Sequence, residues 1–354
     1  MMCAPYKSPN MSSSFNEIGS EFWIESEPDV LLTERDGSYC LSGRTAIDLI
    51  LQDILKNKSV KRVTMPAWCC DSMIAPFLER GVEVKFYDIS LTDGLLVCHT
   101  DNTKGADIFY LTNYFGYENM PPIEMVRRIK EQGIVVIYDR THSFLMEDEP
   151  YRLLADYSFA SIRKWMGVIG GAVVEGVDTP EMINCPFVPI KELAMRDKYR
   201  YLQGNQAIRK GDFLSAFGEF SHCLTTDYRD YRMDDLSYSL YKLEDLKEMK
   251  RKRRENAIFI HENLKDLQFV CKLTEDAVPL FVPVLFKTKE QRDTVRRKLI
   301  EQQIYCPVHW PQPVQISAGY QVNDIVDREL SLICDQRYGL KEMKKQIKTI
   351  MRVL

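Results

Sequence analysis

The chain has 354 residues, 45% of them hydrophobic and 28% charged, with a formal net charge of −4. This is long enough for a large core plus a second domain, and the charge balance points away from a nucleic-acid or membrane partner. The opening "MMCAPYKSPNMSSSF" lacks the apolar core of a secretory signal, no stretch approaches the ~20 apolar residues that span a bilayer, and the ten cysteines show no CxxC spacing.

Those features predict a cytoplasmic protein with free thiols and no metal site. The adjacent pair Cys69–Cys70 is a poor geometry for one metal ion.

In chain order, "GRTAIDLILQDILKN" carries apolar residues at helical spacing behind Ser42–Gly43. The runs "KRVTM", "VEVKFYDI", "DIFYLTNY" and "GIVVIYD" are short, β-branched or aromatic, and bounded by Gly, Pro or Asp, which predicts strands. Helical segments around 70–80 and 122–132 separate them. The alternation predicts an α/β fold with a mostly parallel sheet covered on both faces.

A largely helical region follows, with one long helix from Asp234 to Leu264 marked by Leu236, Leu240, Leu243 and Leu246. Its basic run "KRKRR", Lys250 to Arg254, reads as a solvated helix face because Glu and Asp flank it. Then come "PLFVPVLF", a charged helix "KEQRDTVRRKLIEQQ", "IYCPVHWPQP" and a final helix. Residues 1–29 are read as an N-terminal segment, 30–245 as a large domain and 246–354 as a smaller α+β domain.

Three features carry chemistry. "GIVVIYD" ends in Asp139, at the carboxyl end of a strand, where ligands of parallel sheets gather; a turn cap is the competing reading. Lys164 lies 25 residues later in "SFASIRKWMGVIGGAVV", with Ser161 three positions before it. A hydroxyl at that spacing can hold a phosphate while the amine meets an aldehyde on the same small molecule. The third feature is "SGRTAI", where a helix N-terminus with Gly43 and Thr45 makes a phosphate cradle. Each signal is weak alone. Together, in this order, they meet the needs of pyridoxal 5′-phosphate (PLP): a phosphate site, an acid for the ring nitrogen and a lysine for the aldehyde.

The same stretches, with "GSEFW", "MPAWCCDSMIAPFLERGVEVKFYDI", "LTNYFGY", "YDRTHS" and "YRMDDLSYSLYKLEDLKEMKRKR", resemble the DegT-type sugar aminotransferases among the fold-type I PLP enzymes. The resemblance implies a homodimer with interface active sites. It also implies transfer of an amino group, usually from glutamate, to a keto group on a nucleotide-linked sugar, in surface polysaccharide or secondary-metabolite synthesis. By position it makes Lys164 the Schiff-base lysine and Asp139 the pyridine partner, and sets His142 near the ring's phenolic oxygen. It sets Ser161, Gly43, Arg44 and Thr45 around the phosphate, adds Trp68, Cys70 and Asn113 to the cofactor site, and brings His309 towards substrate.

The chain departs from the family's pattern in three places. Arg44 stands where a small hydroxyl follows the glycine, and Cys70 where an aromatic ring stacks on the cofactor, with Trp68 as the nearby replacement. Asp230 in "DYRM" takes the place of the asparagine that reaches the partner's phosphate. The alternatives are a PLP-dependent elimination or dehydration and a relative that binds a ligand without turnover.

Overall fold

The computed structural model describes residues 17–92, 94–178, 181–316 and 319–354; most of the expected N-terminal segment 1–29 lies outside them. The described chain forms two compact units, one of Ser20–Lys56 and Phe159–Leu246, the other of Glu17–Gly19, Asn57–Ser158 and Lys247–Leu354.

In chain order the elements are β1 (Ile18–Gly19), β2 (Ser38–Cys40), α1 (Gly43–Asn57), β3 (Arg62–Pro66), α2 (Asp71–Glu79), β4 (Glu83–Thr92), β5 (Leu95–His99) and β6 (Ile108–Thr112). Then follow α3 (Ile123–Glu131), β7 (Val135–Asp139), α4 (Glu149–Leu154), β8 (Tyr157–Ala160), β9 (Ala172–Glu175), α5 (Val188–Leu202), α6 (Lys210–Thr226) and α7 (Asp235–Leu243). The chain closes with α8 (Leu246–Asn263), β10 (Gln268–Phe269), β11 (Val282–Leu285), α9 (Lys289–Glu301), β12 (Ile304–Tyr305), α10 (Val322–Arg328), β13 (Glu329–Leu332) and α11 (Leu340–Met351).

The second unit holds the sheet order β7-β6-β3-β4-β5. β3, β4, β6 and β7 pair in parallel and β5 turns back antiparallel on β4. The expected mostly parallel α/β sheet is thus present. All five residues of β6 are buried, as are the last four of β7, the near-continuous apolar reading expected of strands covered on both faces. The same unit contains a three-stranded antiparallel sheet, β10-β11-β13. Val282, Val284, Leu330 and Leu332 from it share a core with Ile260 of α8, Val295 and Leu299 of α9, and Met343 and Ile347 of α11.

Two ties bind the segment 57–158 to 247–354, which the sequence reading had put in separate domains. The first is the turn after β6: Val278 N–H donates to Gly116 O and Leu280 N–H to Phe115 O. Gly116 has φ +78°, and an added Cβ would lie 2.1 Å from Val278 O, so only glycine fits there. The second is β1, which pairs with β12 through Ile18 and Ile304.

In the first unit β2 pairs antiparallel with β9, and α1 lays Ala46, Ile47, Leu49, Ile50, Leu51 and Ile54 into the interior.

Two expectations change. The single long helix is two helices, because Glu244 is extended (φ −66°, ψ 136°) and ends α7. Asp245 then stands just ahead of α8, a residue type that favours helix starts over helix interiors. The run Lys250–Arg254 is only partly a solvated face. Arg251 pairs outward with Glu248 and Glu255. Arg253 is 0% exposed and donates to the carbonyls of Pro279 and Leu280; Arg254 donates to those of Thr274 and Ala277. These two side chains tie α8 to the approach to β11.

Candidate active site

The expected residues fall on both units, each half with its own geometry. Asp139, His142, Asn113, Trp68, Cys70 and His309 belong to the unit with the large parallel sheet. Gly43, Arg44, Thr45, Ser161 and Lys164 belong to the other.

Asp139 ends β7, in register with Thr112 of β6. It is 6% exposed. Its Oδ2 accepts from the Tyr110 hydroxyl at 2.8 Å and its Oδ1 from Thr141 N–H at 2.8 Å. The Oδ1 contact is the turn cap of the competing reading; the Oδ2 contact is additional. Burial, with the Asp139 carboxylate beside it, pushes the Tyr110 phenol well above its ordinary range, so it remains a donor. Both hydrogen bonds favour the charged carboxylate. That is the form a protonated pyridine nitrogen requires, and on the ring side the residues fit PLP.

His142 follows in the same loop and is buried. Its Nδ1 accepts from Phe115 N–H at 3.2 Å, which leaves the proton of the neutral ring on Nε2. Its ring stacks on Trp310 at 5.3 Å. Phe115 holds φ 62°, a left-handed conformation uncommon for a bulky side chain. Asn113 explains that shape. Its Nδ2 donates to Tyr117 O at 2.8 Å and its Oδ1 accepts from Gly116 N–H at 3.1 Å. Asn113 therefore builds the turn that carries Phe115, and both ends of its amide are engaged in doing so.

Trp68 is 0% exposed. Its ring stacks on Tyr114 at 4.8 Å, and its indole N–H donates to His309 O at 2.7 Å. It is a wall of the aromatic cluster and presents no open face for a cofactor ring. Cys70 precedes α2, with its thiol 2.9 Å from the Ser72 hydroxyl. His309 is partly exposed, with Phe281 at 4.9 Å and Trp310 at 5.2 Å.

In the other unit Ser42 stands ahead of α1 and its hydroxyl accepts from Thr45 N–H at 3.2 Å, a capping bond. A Cβ on Gly43 would sit 3.5 Å from Ser161 Cβ, so the helix start and the buried Ser161 are neighbours. Lys164 follows in a short 3-10 turn, its N–H donating to Ser161 O at 3.3 Å. The helix N-terminus and Ser161 are thus neighbours, and the Lys164 backbone is tied to Ser161.

Two phosphate expectations are not met by the side chains themselves. Arg44 Nη1 donates to the Leu224 carbonyl and its guanidinium lies over Tyr228 at 5.4 Å. The Thr45 hydroxyl donates to Tyr228 O at 2.8 Å. Both side chains tie α1 to the segment around Tyr228. Asp230, at φ 58°, accepts from Gln52 Nε2 at 2.7 Å. Its neighbouring arginines have other partners: Arg229 lies 3.6 Å from Asp48, and Arg232 binds Asn184 and Asp235.

Sequence reasoning missed Tyr110 and Thr141. The Asp-x-Thr spacing at the strand end was a signal for the Thr141 contact. The Tyr110 contact needed the β6–β7 register.

Among the described residues no group of three or more His, Cys, Asp or Glu side chains could hold a metal ion. No described helix is long and apolar enough to cross a membrane.

Residues 213–331 match the model of the DegT/DnrJ/EryC1/StrS aminotransferase family. No curated protein matches the sequence. Among solved structures, the chain is similar to NtdA from Bacillus subtilis with bound cofactor PMP, at 17% identity and TM-score 0.63, over 89% of this chain and 72% of that one. It is similar to Helicobacter pylori PseC, an aminotransferase involved in the biosynthesis of pseudoaminic acid, at 15% identity and TM-score 0.64, over 89% of this chain and 85% of that one. A third is DesI in the presence of its TDP-sugar product, at 14% identity and TM-score 0.61, over 90% and 81%. At these identities the likenesses show the fold. With the family match they bear out the resemblance read from the sequence and the α/β aminotransferase architecture.

Proposed function

We infer that this chain, which carries the fold of these enzymes and a stretch matching their family, is a PLP-dependent aminotransferase. The observation that carries the reading is Asp139: a buried strand-end carboxylate whose charged form is held by Tyr110 and Thr141. In this reading Ser161 and the start of α1 would hold the phosphate, Asp139 would pair with the ring nitrogen, and His142 would lie near the ring oxygen. Lys164 Nζ would be the amine for the aldehyde and would carry the transferred proton. When bound, PLP supplies that aldehyde and an electron-withdrawing ring.

The amino acceptor in this reading is a keto sugar linked to a nucleotide, and the donor is glutamate. The sugar chemistry named for PseC and DesI supports the acceptor class. His309 meets substrate. The enzyme works as a cytoplasmic homodimer in surface polysaccharide or secondary-metabolite synthesis. Incubating the PLP form with glutamate tests the reaction type. A transaminase loses the visible PLP band and releases 2-oxoglutarate; an unchanged spectrum contradicts transamination from this donor. Offering keto-sugar nucleotides to the resulting PMP form then identifies the acceptor.

One group of contacts favours a second reading, a relative that binds a ligand without turnover. Arg44, the Thr45 hydroxyl and Asp230 are all engaged by groups of the chain itself. Protein that stays colourless after incubation with PLP would support it.

A further inference from the structure

The cofactor reading leaves one buried polar chain without a role. Glu329 and Ser331 lie two apart on β13, so their side chains share a face of the strand. Glu329 is fully buried. Its Oε2 accepts from His309 N–H at 2.9 Å, and its Oε1 lies 2.5 Å from Ser331 Oγ. Ser331 Oγ is in turn 2.8 Å from His309 Nδ1. The His309 ring is hemmed by Phe281, Phe115, His142 and Trp310, with centroids 4.9 to 5.8 Å away.

We propose that Glu329, acting through Ser331, sets which ring nitrogen of His309 carries the proton. Glu329 and Ser331 are then positioning residues for a group that meets substrate, and that role rests on the functional reading above.

A serine hydroxyl has a single proton to donate. With Glu329 ionised, Ser331 donates to Oε1, and its oxygen accepts from His309 Nδ1–H. With Glu329 protonated on Oε1, the carboxyl donates to Ser331, and Ser331 donates to Nδ1, which moves the ring proton to Nε2. Oε2 accepts from the His309 backbone in both states. One proton on Glu329 thus reverses the chain's direction and turns Nε2 from acceptor into donor, without charging the imidazole.

Burial pushes the Glu329 carboxyl up to about 8, against the pull of Ser331, the His309 N–H and Arg292. Arg292 of α9 faces Glu329 through its backbone carbonyl, to which Nη1 donates at 3.0 Å. The thiols of Cys271 and Cys306 also face it, and burial holds each near 12, so they stay neutral as Glu329 titrates. With Glu329 protonated the ring proton sits on Nε2, a donor suited to a sugar or phosphate oxygen.

The test is a proton-detected 15N spectrum of the histidine-labelled, PLP-loaded full chain, with His309→Ala to assign the signal. In the wild type the His309 proton is expected on Nε2 below pH about 7 and on Nδ1 above about 9, one unit either side of the Glu329 value. In Glu329→Gln the amide donates to Ser331 at every pH, so the proton stays on Nε2. In Ser331→Ala the change of tautomer between pH about 7 and 9 is lost. A wild type that keeps one tautomer from pH about 7 to 9 overturns the proposal, as does either variant titrating like the wild type. An unchanged KM in His309→Ala would remove the substrate role while leaving the tautomer result standing.

Discussion

The hydroxyl of Tyr110 on β6 donates to Oδ2 of Asp139 on β7, 2.8 Å across two parallel strands. This bond and the Thr141 N–H both stabilise the charged form of the carboxylate relative to the neutral one. Tyr110→Phe removes one hydrogen bond to a charged acceptor, a loss of about 1.5–3 kcal/mol, or roughly ten- to hundredfold in PLP retention. Asp139→Ala should lower transamination by on the order of 10²-fold or more, because it removes the charge itself. PLP titration followed by absorbance, with 2-oxoglutarate release, measures both. Unaltered PLP affinity in Tyr110→Phe would show that the bond does not serve the cofactor.

Trp68→Phe should cost stability rather than cofactor geometry. It strips the indole donor from the His309 carbonyl, and losing that hydrogen bond costs about 0.5–1.5 kcal/mol. A lower urea midpoint with an unshifted PLP absorption band is the expected result. A displaced band at unaltered stability would make Trp68 a stacking partner after all.

The strands of the parallel sheet were legible because covered parallel strands write continuous apolar runs, and "IFYLT" and "VVIYD" are such runs; their order in the sheet was not. The place of Asp139 at a strand end was legible because it stands where the second of those runs stops. The roles of Trp68, Asn113, Arg44 and Thr45 were not. Each side chain is claimed by a backbone partner distant in sequence or set by a turn, as Thr45 is by Tyr228 O and Asn113 by Tyr117 O. Residue type and spacing do not encode such partners. The Glu329–Ser331–His309 chain was hidden for a related reason: it joins β13 to the loop after β12, with Glu329 and His309 20 residues apart in sequence.

Asp230→Asn keeps a side chain that tolerates the left-handed backbone and can still accept from Gln52, while removing one negative charge. By the family resemblance this position meets a phosphate. The variant should then bind PLP more tightly by about 1 kcal/mol, roughly fivefold. Equal dissociation constants for the two proteins would place residue 230 away from the phosphate.

Glu329 also predicts a pH dependence of stability. Its folded value, about 8, lies above the ordinary 4.5, so the folded state holds the proton more tightly than the unfolded state. This contribution is fully present below pH about 4.5 and fades as pH rises through 8. Glu329→Gln has no such proton to lose. Its stability relative to the wild type should climb between those values and level off above, as read from urea midpoints at stepped pH. A difference that does not vary with pH would contradict a raised Glu329.

The central claim is that Lys164 is the amine that takes the cofactor's aldehyde. Borohydride reduction of the PLP-loaded chain, followed by digestion and mass spectrometry, reads this directly. The pyridoxyl group is expected on the peptide containing Lys164, and absent when the experiment is repeated with Lys164→Ala. Its recovery on any other lysine, or undiminished labelling of the variant, would contradict the account.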